Sequence, residues 1–190
     1  MQLRCSAVRE SAGARFVSVA GSRVRRTRLV AIACALVFAA ACGSDKSPAR
    51  LNIGDAAPAF QTVRADGQPA SFPAGWAGKP VVIRFWADWC KYCEGEMKDI
   101  ERVYQRLKPR GLEVAAINAG QDRKTVEDFM KKIGVSYPAL LDEDSAIAKR
   151  YGVVGLPTTY FVDARGIVRA KLVGEADAAS FERAALELLK

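Results

Sequence analysis

Apolar positions change period twice along this chain. From Val81 to Ala87 they run almost unbroken, β-branched and aromatic, with Arg84 the one charged residue. A run apolar on both faces predicts a strand at the centre of a sheet. From Cys93 to Leu107 the spacing switches to three- and four-residue steps through Met97, Ile100, Val103, Tyr104 and Leu107, which predicts an amphipathic helix stopped by Pro109-Arg110-Gly111. Leu112 to Asn118 is a second buried-type strand. Asp122 is placed to cap a helix whose apolar face is Val126, Phe129, Met130 and Ile133, ending at Gly134. A short strand over Pro138 to Leu141 and a short helix over Ser145 to Tyr151 follow, the latter ended by Gly152. Thr158 to Val162 and Ile167 to Val173 then read as two strands across an Asp163-Ala164-Arg165-Gly166 turn. Phe181, Ala184, Ala185, Leu188 and Leu189 give the last helix a core face. Upstream, Ala59 to Arg64 and Gln68 to Phe72 flank Asp66-Gly67, a hairpin signal. Strands alternating with helices, closed by a hairpin and a helix, predict an α/β sandwich with a central mixed sheet flanked by helices.

The first 41 residues follow neither period. A basic cluster, Arg23, Arg25, Arg26 and Arg28, precedes the apolar run Leu29 to Ala41 and small residues before Cys42, the three parts of an export signal over residues 1–41. The apolar run falls short of the roughly 20 residues that span a bilayer. Residues 42–52 are mostly small and polar, as a flexible tether is, so the folded domain is expected over 53–190, with order beginning near Ile53. Charge follows the same division. Of the formal +8, the leader carries seven Arg against the single acid Glu10; the remainder has 22 basic and 20 acidic residues. The domain therefore has no nucleic-acid footprint.

Chemistry concentrates at Trp89-Cys90-Lys91-Tyr92-Cys93, where the central strand ends and a helix begins. Unpaired N–H groups and the dipole at a helix N-terminus favour negative charge, so Cys90 is the natural nucleophile and Cys93, one turn on, the residue that closes a ring with it. Two plainer uses compete. A structural zinc site needs further ligands, yet the chain has no His, and Cys5, Cys34 and Cys42 lie in the leader or at its edge, so no metal is expected. An inert disulfide closing so short a loop would restrain the unfolded chain little.

With these residues in place the chain, from about Ile53 to its C-terminus, resembles the thioredoxin fold, and more narrowly the extracytoplasmic thiol-disulfide oxidoreductases of the TlpA/ResA type. The likeness rests on Phe85-Trp86-Ala87-Asp88-Trp89-Cys90-x-x-Cys93, on Gly155-Leu156-Pro157-Thr158-Thr159-Tyr160-Phe161-Val162-Asp163, and on an extra strand-helix unit between them, about 112–137. It implies a cofactor-free redox disulfide, Cys90–Cys93, and a cis Pro157 beside it. It also implies that Leu156 offers its backbone to a substrate segment, with Trp89, Lys91 and Tyr92 as further substrate contacts; a strand-initiating trans-proline is the plainer alternative at Pro157. Glu96 falls where ResA-like members place an acid that tunes the thiols by like-charge repulsion; the alternative is an exposed helix Glu supported by Lys98 and Arg102. Ala39-Ala40-Ala41-Cys42-Gly43-Ser44 resembles the lipobox of bacterial lipoproteins, which implies a lipidated Cys42 and a membrane-attached, periplasmic protein of the bacterial cell envelope, although Ala39-x-Ala41 also suits ordinary signal cleavage.

The chain departs from the family in two places. Lys91-Tyr92 lacks the usual proline, resembles the periplasmic disulfide isomerases, and adds positive charge near Cys90. Arg84 stands where thioredoxin has a buried acid, and must be paired or reach solvent; Glu96 is a candidate partner. The expected activity is reduction of disulfides in exported proteins, apocytochromes in the family, with electrons from a membrane donor of the thiol-disulfide transporter type. The same chemistry run as oxidase or isomerase is the alternative, and a non-catalytic partner-binding lipoprotein another. Peroxiredoxin chemistry is disfavoured because Ala87 replaces the Thr or Ser expected three residues before the active cysteine.

Overall fold

A computed structural model describes residues 50–190. The expected export signal, Cys42 and most of the tether lie outside the described residues. Among those described, no helix is long and apolar enough to cross a membrane.

The strands are β1 Phe60–Val63, β2 Pro69–Phe72, β3 Val81–Trp86, β4 Glu113–Ala119, β5 Ala139–Asp142, β6 Thr158–Val162 and β7 Val168–Val173; the helices are α1 Cys93–Leu107, α2 Arg123–Ile133, α3 Ala146–Arg150 and α4 Ala178–Leu188. β1 and β2 form the expected hairpin, with Gly67 at φ 87° in its turn. The other five strands make one mixed sheet in the order β5-β4-β3-β6-β7, in which β3, β4 and β5 are parallel and β6 and β7 antiparallel to their neighbours. β3 is central, and every residue in it is buried, as its unbroken apolar run required.

The alternation of β3 sorts two cores. Val81, Ile83 and Phe85 point into one, with Phe60, Phe72, Tyr151 and Tyr160; Val82 and Trp86 point into the other, beneath α1, α2 and α4. Arg84 shares the side of Val82 and Trp86 and so lies beneath α1. Among the described residues Leu51, rather than Ile53, is the first buried apolar one: Leu51 packs into the aromatic core while Ile53 is 66% exposed. The 54–57 segment is instead held by its backbone, through Gly54 N–H to Val168 O and Ala57 N–H to Gly166 O. The Phe72–Pro73 peptide is cis, which the sequence did not flag.

Both expected stop and start signals act as such. Gly111 has φ 97° just beyond α1, and Asp122 caps α2 by accepting from Thr125 N–H at 2.8 Å. Asp177 caps α4 in the same way through Ser180 N–H. Those backbone hydrogen bonds hold both carboxyls below their usual value. A depressed carboxyl contributes stability above its unfolded value of about 3.9, and that contribution is lost as pH falls through the lower folded value. Asp122→Ala is expected to lower the urea unfolding midpoint near neutral pH, with the gap to wild type closing in strong acid. Urea unfolding at two pH values checks this, and an undiminished gap in acid would refute it.

Candidate active site

The end of β3 and the start of α1 bring the two sulfurs together. Cys90 and Cys93 form a disulfide with Cα atoms 5.4 Å apart. Cys93 is the first residue of α1, and Cys90 sits in the turn before it, its N–H donating to Ala87 O and its carbonyl accepting from Cys93 N–H at 3.0 Å. Cys93 is fully buried, whereas Cys90 is 7% exposed. Only Cys90 therefore has a face open to an incoming sulfur. Both belong to the apolar core of Val82, Trp86 and Met97.

β6 pairs antiparallel with β3, with Thr158 opposite Phe85, and this register carries Pro157 to the same end of the sheet as Cys90. The Leu156–Pro157 peptide is cis, as the resemblance implied. Leu156 is half-buried against the core that holds the cysteines, and Pro157 O accepts from Gly174 N–H at 2.8 Å. Around this end stand exposed apolar side chains: Trp89 at 69%, Val154 at 82%, Val173 at 58% and Tyr92 at 41%. Trp89 and Tyr92 flank the disulfide in sequence; Val154 and Val173 went unremarked in the sequence because single valines in loops and at strand ends carry no signal. Lys91 is exposed, its ammonium 5.3 Å from the centre of the Tyr92 ring, so its charge is shared with that ring and with solvent. A cleft of about 650 Å³ opens between the first turns of α1 and the loop before α4, lined by Lys91, Tyr92, Gly95, Asp99, Glu175 and Asp177.

Arg84 is 2% exposed in the middle of the central strand. Its guanidinium donates from Nη2 to Glu96 and from Nη1 to Thr159 Oγ1 at 3.0 Å. Glu96 is itself buried and accepts, through its other carboxylate oxygen, from Ala176 N–H in the loop before α4. The alternative of an exposed helix Glu supported by Lys98 and Arg102 is thus corrected: Lys98 pairs with Glu94, and Arg102 with Asp99. The reason is helical phase. Glu96 follows Cys93 by three residues and precedes Ile100 by four, which sets it on the buried side of α1. Its charge is balanced by Arg84, so Glu96 does not confront the sulfurs as an isolated carboxylate. Glu94, by contrast, faces outward; hydrogen bonds from Lys132 and Lys98 hold its carboxyl down at about 2 and tie α1 to α2. Ala87 is buried and supplies no hydroxyl near Cys90. No cluster of three or more metal-binding side chains occurs among the described residues.

Residues 53–171 match the AhpC/TSA family. Among curated proteins, the chain is 33% identical over 126 residues to the thiol-disulfide oxidoreductase ResA of Bacillus thuringiensis subsp. konkukian, covering 66% of this chain and 72% of that protein. To ResA of Bacillus subtilis it is 30% identical over 151 residues, covering 80% and 84%. Among solved structures, a thiol:disulfide interchange protein of the thioredoxin family from Chlorobium tepidum superposes with a TM-score of 0.65 at 30% identity, over 73% of this chain and 99% of that one.

Removing one member of a buried ion pair strands the other charge. Arg84→Met is therefore expected to cost about 3–5 kcal/mol, and the double variant Arg84→Met/Glu96→Gln much less, because no charge is left without a partner. Urea unfolding of both variants tests this; equal losses in the single and the double would show that the pair is not the source.

Proposed function

The chain belongs to the AhpC/TSA thioredoxin-fold family and is a ResA-type thiol-disulfide oxidoreductase, and from that premise we propose that it works as a reductant of disulfides in exported proteins. The Cys90 thiolate attacks one sulfur of a substrate disulfide, forming a mixed disulfide and expelling the other substrate sulfur as a thiolate. The Cys93 thiolate then attacks the Cys90 sulfur, closes the internal disulfide and releases the second substrate thiolate. Two electrons have passed to the substrate. A membrane-bound thiol donor returns them through the same exchange in reverse. Trp89, Tyr92, Lys91 and Leu156 are the surface on which the substrate segment lies, next to Pro157, and Glu96, paired with Arg84, holds the first turn of α1 in place from beneath.

The observation that carries this direction is the burial of both sulfurs in apolar surroundings, Cys93 completely and Cys90 to 7% exposure. A disulfide is strongly oxidising when its reduced form is stabilised as a thiolate. Burial among apolar side chains disfavours that charge. The cation that would favour it, Lys91, is exposed and lies over Tyr92. The Glu96 carboxylate is compensated, so neither nearby charge outweighs burial. Lys91-Tyr92 is the one feature that supports the oxidase or isomerase alternative.

The reduction potential of the Cys90/Cys93 couple tests the direction. It is expected between about −200 and −270 mV, the glutaredoxin-to-thioredoxin range; a value near about −120 mV, that of a dedicated oxidant, would overturn it in favour of oxidation. Order of attack is tested separately. Cys93→Ser is expected to accumulate mixed disulfides through Cys90, and Cys90→Ser to form none; the opposite pattern would reverse the two roles.

We also propose that the protein works outside the cytoplasm, held to a membrane of the cell envelope by a lipid on Cys42. The basic cluster, the short apolar run and the small residues before Cys42 support this. Mass spectrometry of the mature N-terminus is expected to find a lipidated Cys42 as the first residue. An unmodified Cys42 would replace the anchor with ordinary signal cleavage.

A further inference from the structure

Between the end of β3 and Cys90 the chain passes through Asp88 and Trp89, both exposed, with no strand or helix to hold them. What holds Asp88 is Gln121, which lies 33 residues later in the loop between β4 and α2. Gln121 Nε2 donates to Asp88 Oδ1 at 2.6 Å, and Gln121 Oε1 accepts from Asp88 backbone N–H at 2.9 Å. The same Oε1 accepts from Asn118 Nδ2 at 2.9 Å. Asn118 is fully buried beside Trp86 in the β3–β4 register, and its Oδ1 has no partner. Burying an amide with one unmet acceptor is costly. Among the described residues, the side-chain hydrogen bond that amide does make is spent on orienting Gln121. A buried side chain thus fixes Gln121, and Gln121 grips both the backbone and the side chain of Asp88, two residues before the attacking sulfur.

We propose that Gln121 is a positioning residue for Cys90, and that through it the inserted strand-helix unit controls how the redox sulfur is presented. Sulfur–sulfur exchange requires the attacking sulfur to be held in line with the bond it breaks. While the disulfide is closed, Cys93 restrains Cys90 covalently. Once it is reduced, Cys90 keeps two backbone ties, its N–H to Ala87 O within the turn and its carbonyl to Cys93 N–H at the start of α1, and the Gln121 clamp adds the one that fastens the turn before Cys90 to the β4–α2 loop. The clamp therefore matters most in the dithiol state, the one that attacks substrate. This rests on the thiol-disulfide exchange described above, but not on its direction.

The two side chains allow an isosteric exchange of donor and acceptor. Gln121→Glu removes the donor and sets two carboxylates face to face. Adding Asp88→Asn restores a donor from the other side, so that Asp88→Asn/Gln121→Glu rebuilds the bond with its polarity reversed and the same net charge. Alkylation of Cys90 by iodoacetamide in the reduced full-length protein, located by mass spectrometry, and exchange with oxidised glutathione are the two readouts at pH 7. Gln121→Ala and Gln121→Glu are each expected to slow both by about five- to tenfold, and the double variant to return to within about twofold of wild type; Gln121→Glu and the double variant keep an acceptor for Asn118 Nδ2 and are expected to hold the urea midpoint of the oxidised protein, whereas Gln121→Ala lowers it. A Gln121→Ala protein reacting at the wild-type rate, or a double variant as slow as Gln121→Glu, would overturn the assignment. A wild-type protein whose Cys90 is alkylated but fails to exchange with oxidised glutathione would count against the thiol-disulfide chemistry itself, and the alkylation series would still decide the role of Gln121.

Discussion

A guanidinium in the middle of a fully buried central strand sets the terms for everything around the redox pair. Alternation along β3 turns Arg84 toward α1, where it is 2% exposed, and an unpaired charge there would cost several kcal/mol. The partner has to come from the helix that covers it, and the first turn of α1 supplies Glu96. Once that carboxylate is inside, its second oxygen also needs a donor, and Ala176 N–H provides it. One buried charge thereby fixes three things at once: the rotation of α1 about its axis, the height of α1 above the sheet, and the path of the loop that enters α4. Cys93 opens that same helix, so its position follows from the pairing.

Much of this arrangement was legible in the sequence because it follows from periodicity. The unbroken run 81–87, the 3.6-residue period from Met97 to Leu107, the caps at Asp122 and Gly134, and the turn at Asp163 to Gly166 each appear in the fold within a residue or two of where the pattern placed them. The redox pair was legible because Cys90-x-x-Cys93 sits where the period changes. Arg84 announced a problem, and Glu96 was one candidate for its partner. What the sequence did not carry was contact between segments far apart. Whether Glu96 faced in or out turned on how α1 is rotated over β3. The grip of Gln121 on Asp88 spans 33 residues and involves no recognisable pattern, since an Asn, a Gln and an Asp near loops are ordinary turn residues. Near the start of the domain Leu51 reaches the aromatic core while Ile53 is exposed, a choice between two apolar residues that no periodicity marks.

The inserted unit is more than a lid on one side of the sheet. β4 lies against β3 along its whole length, Phe129 of α2 stacks on Trp86 with ring centres 4.8 Å apart, and Lys132 of α2 reaches Glu94 in the first turn of α1. With Gln121 on Asp88, these contacts bracket the Cys90–Cys93 segment before and after. The other flank is bounded by Leu156, Pro157 and the Val173–Gly174 strand end, where the exposed apolar side chains lie. The site is thus rigid on the α2 flank and open on the β6–β7 flank. On the open flank the exposed side chains of Tyr92 and Val173 and the half-buried Leu156 lie around Cys90, with the acids Glu175 and Asp177 beyond the strand end, while Cys93 is buried beneath, closed to solvent. That asymmetry makes the second step intramolecular by construction: the buried thiol cannot be captured by a competing disulfide, so a mixed disulfide on Cys90 resolves inward.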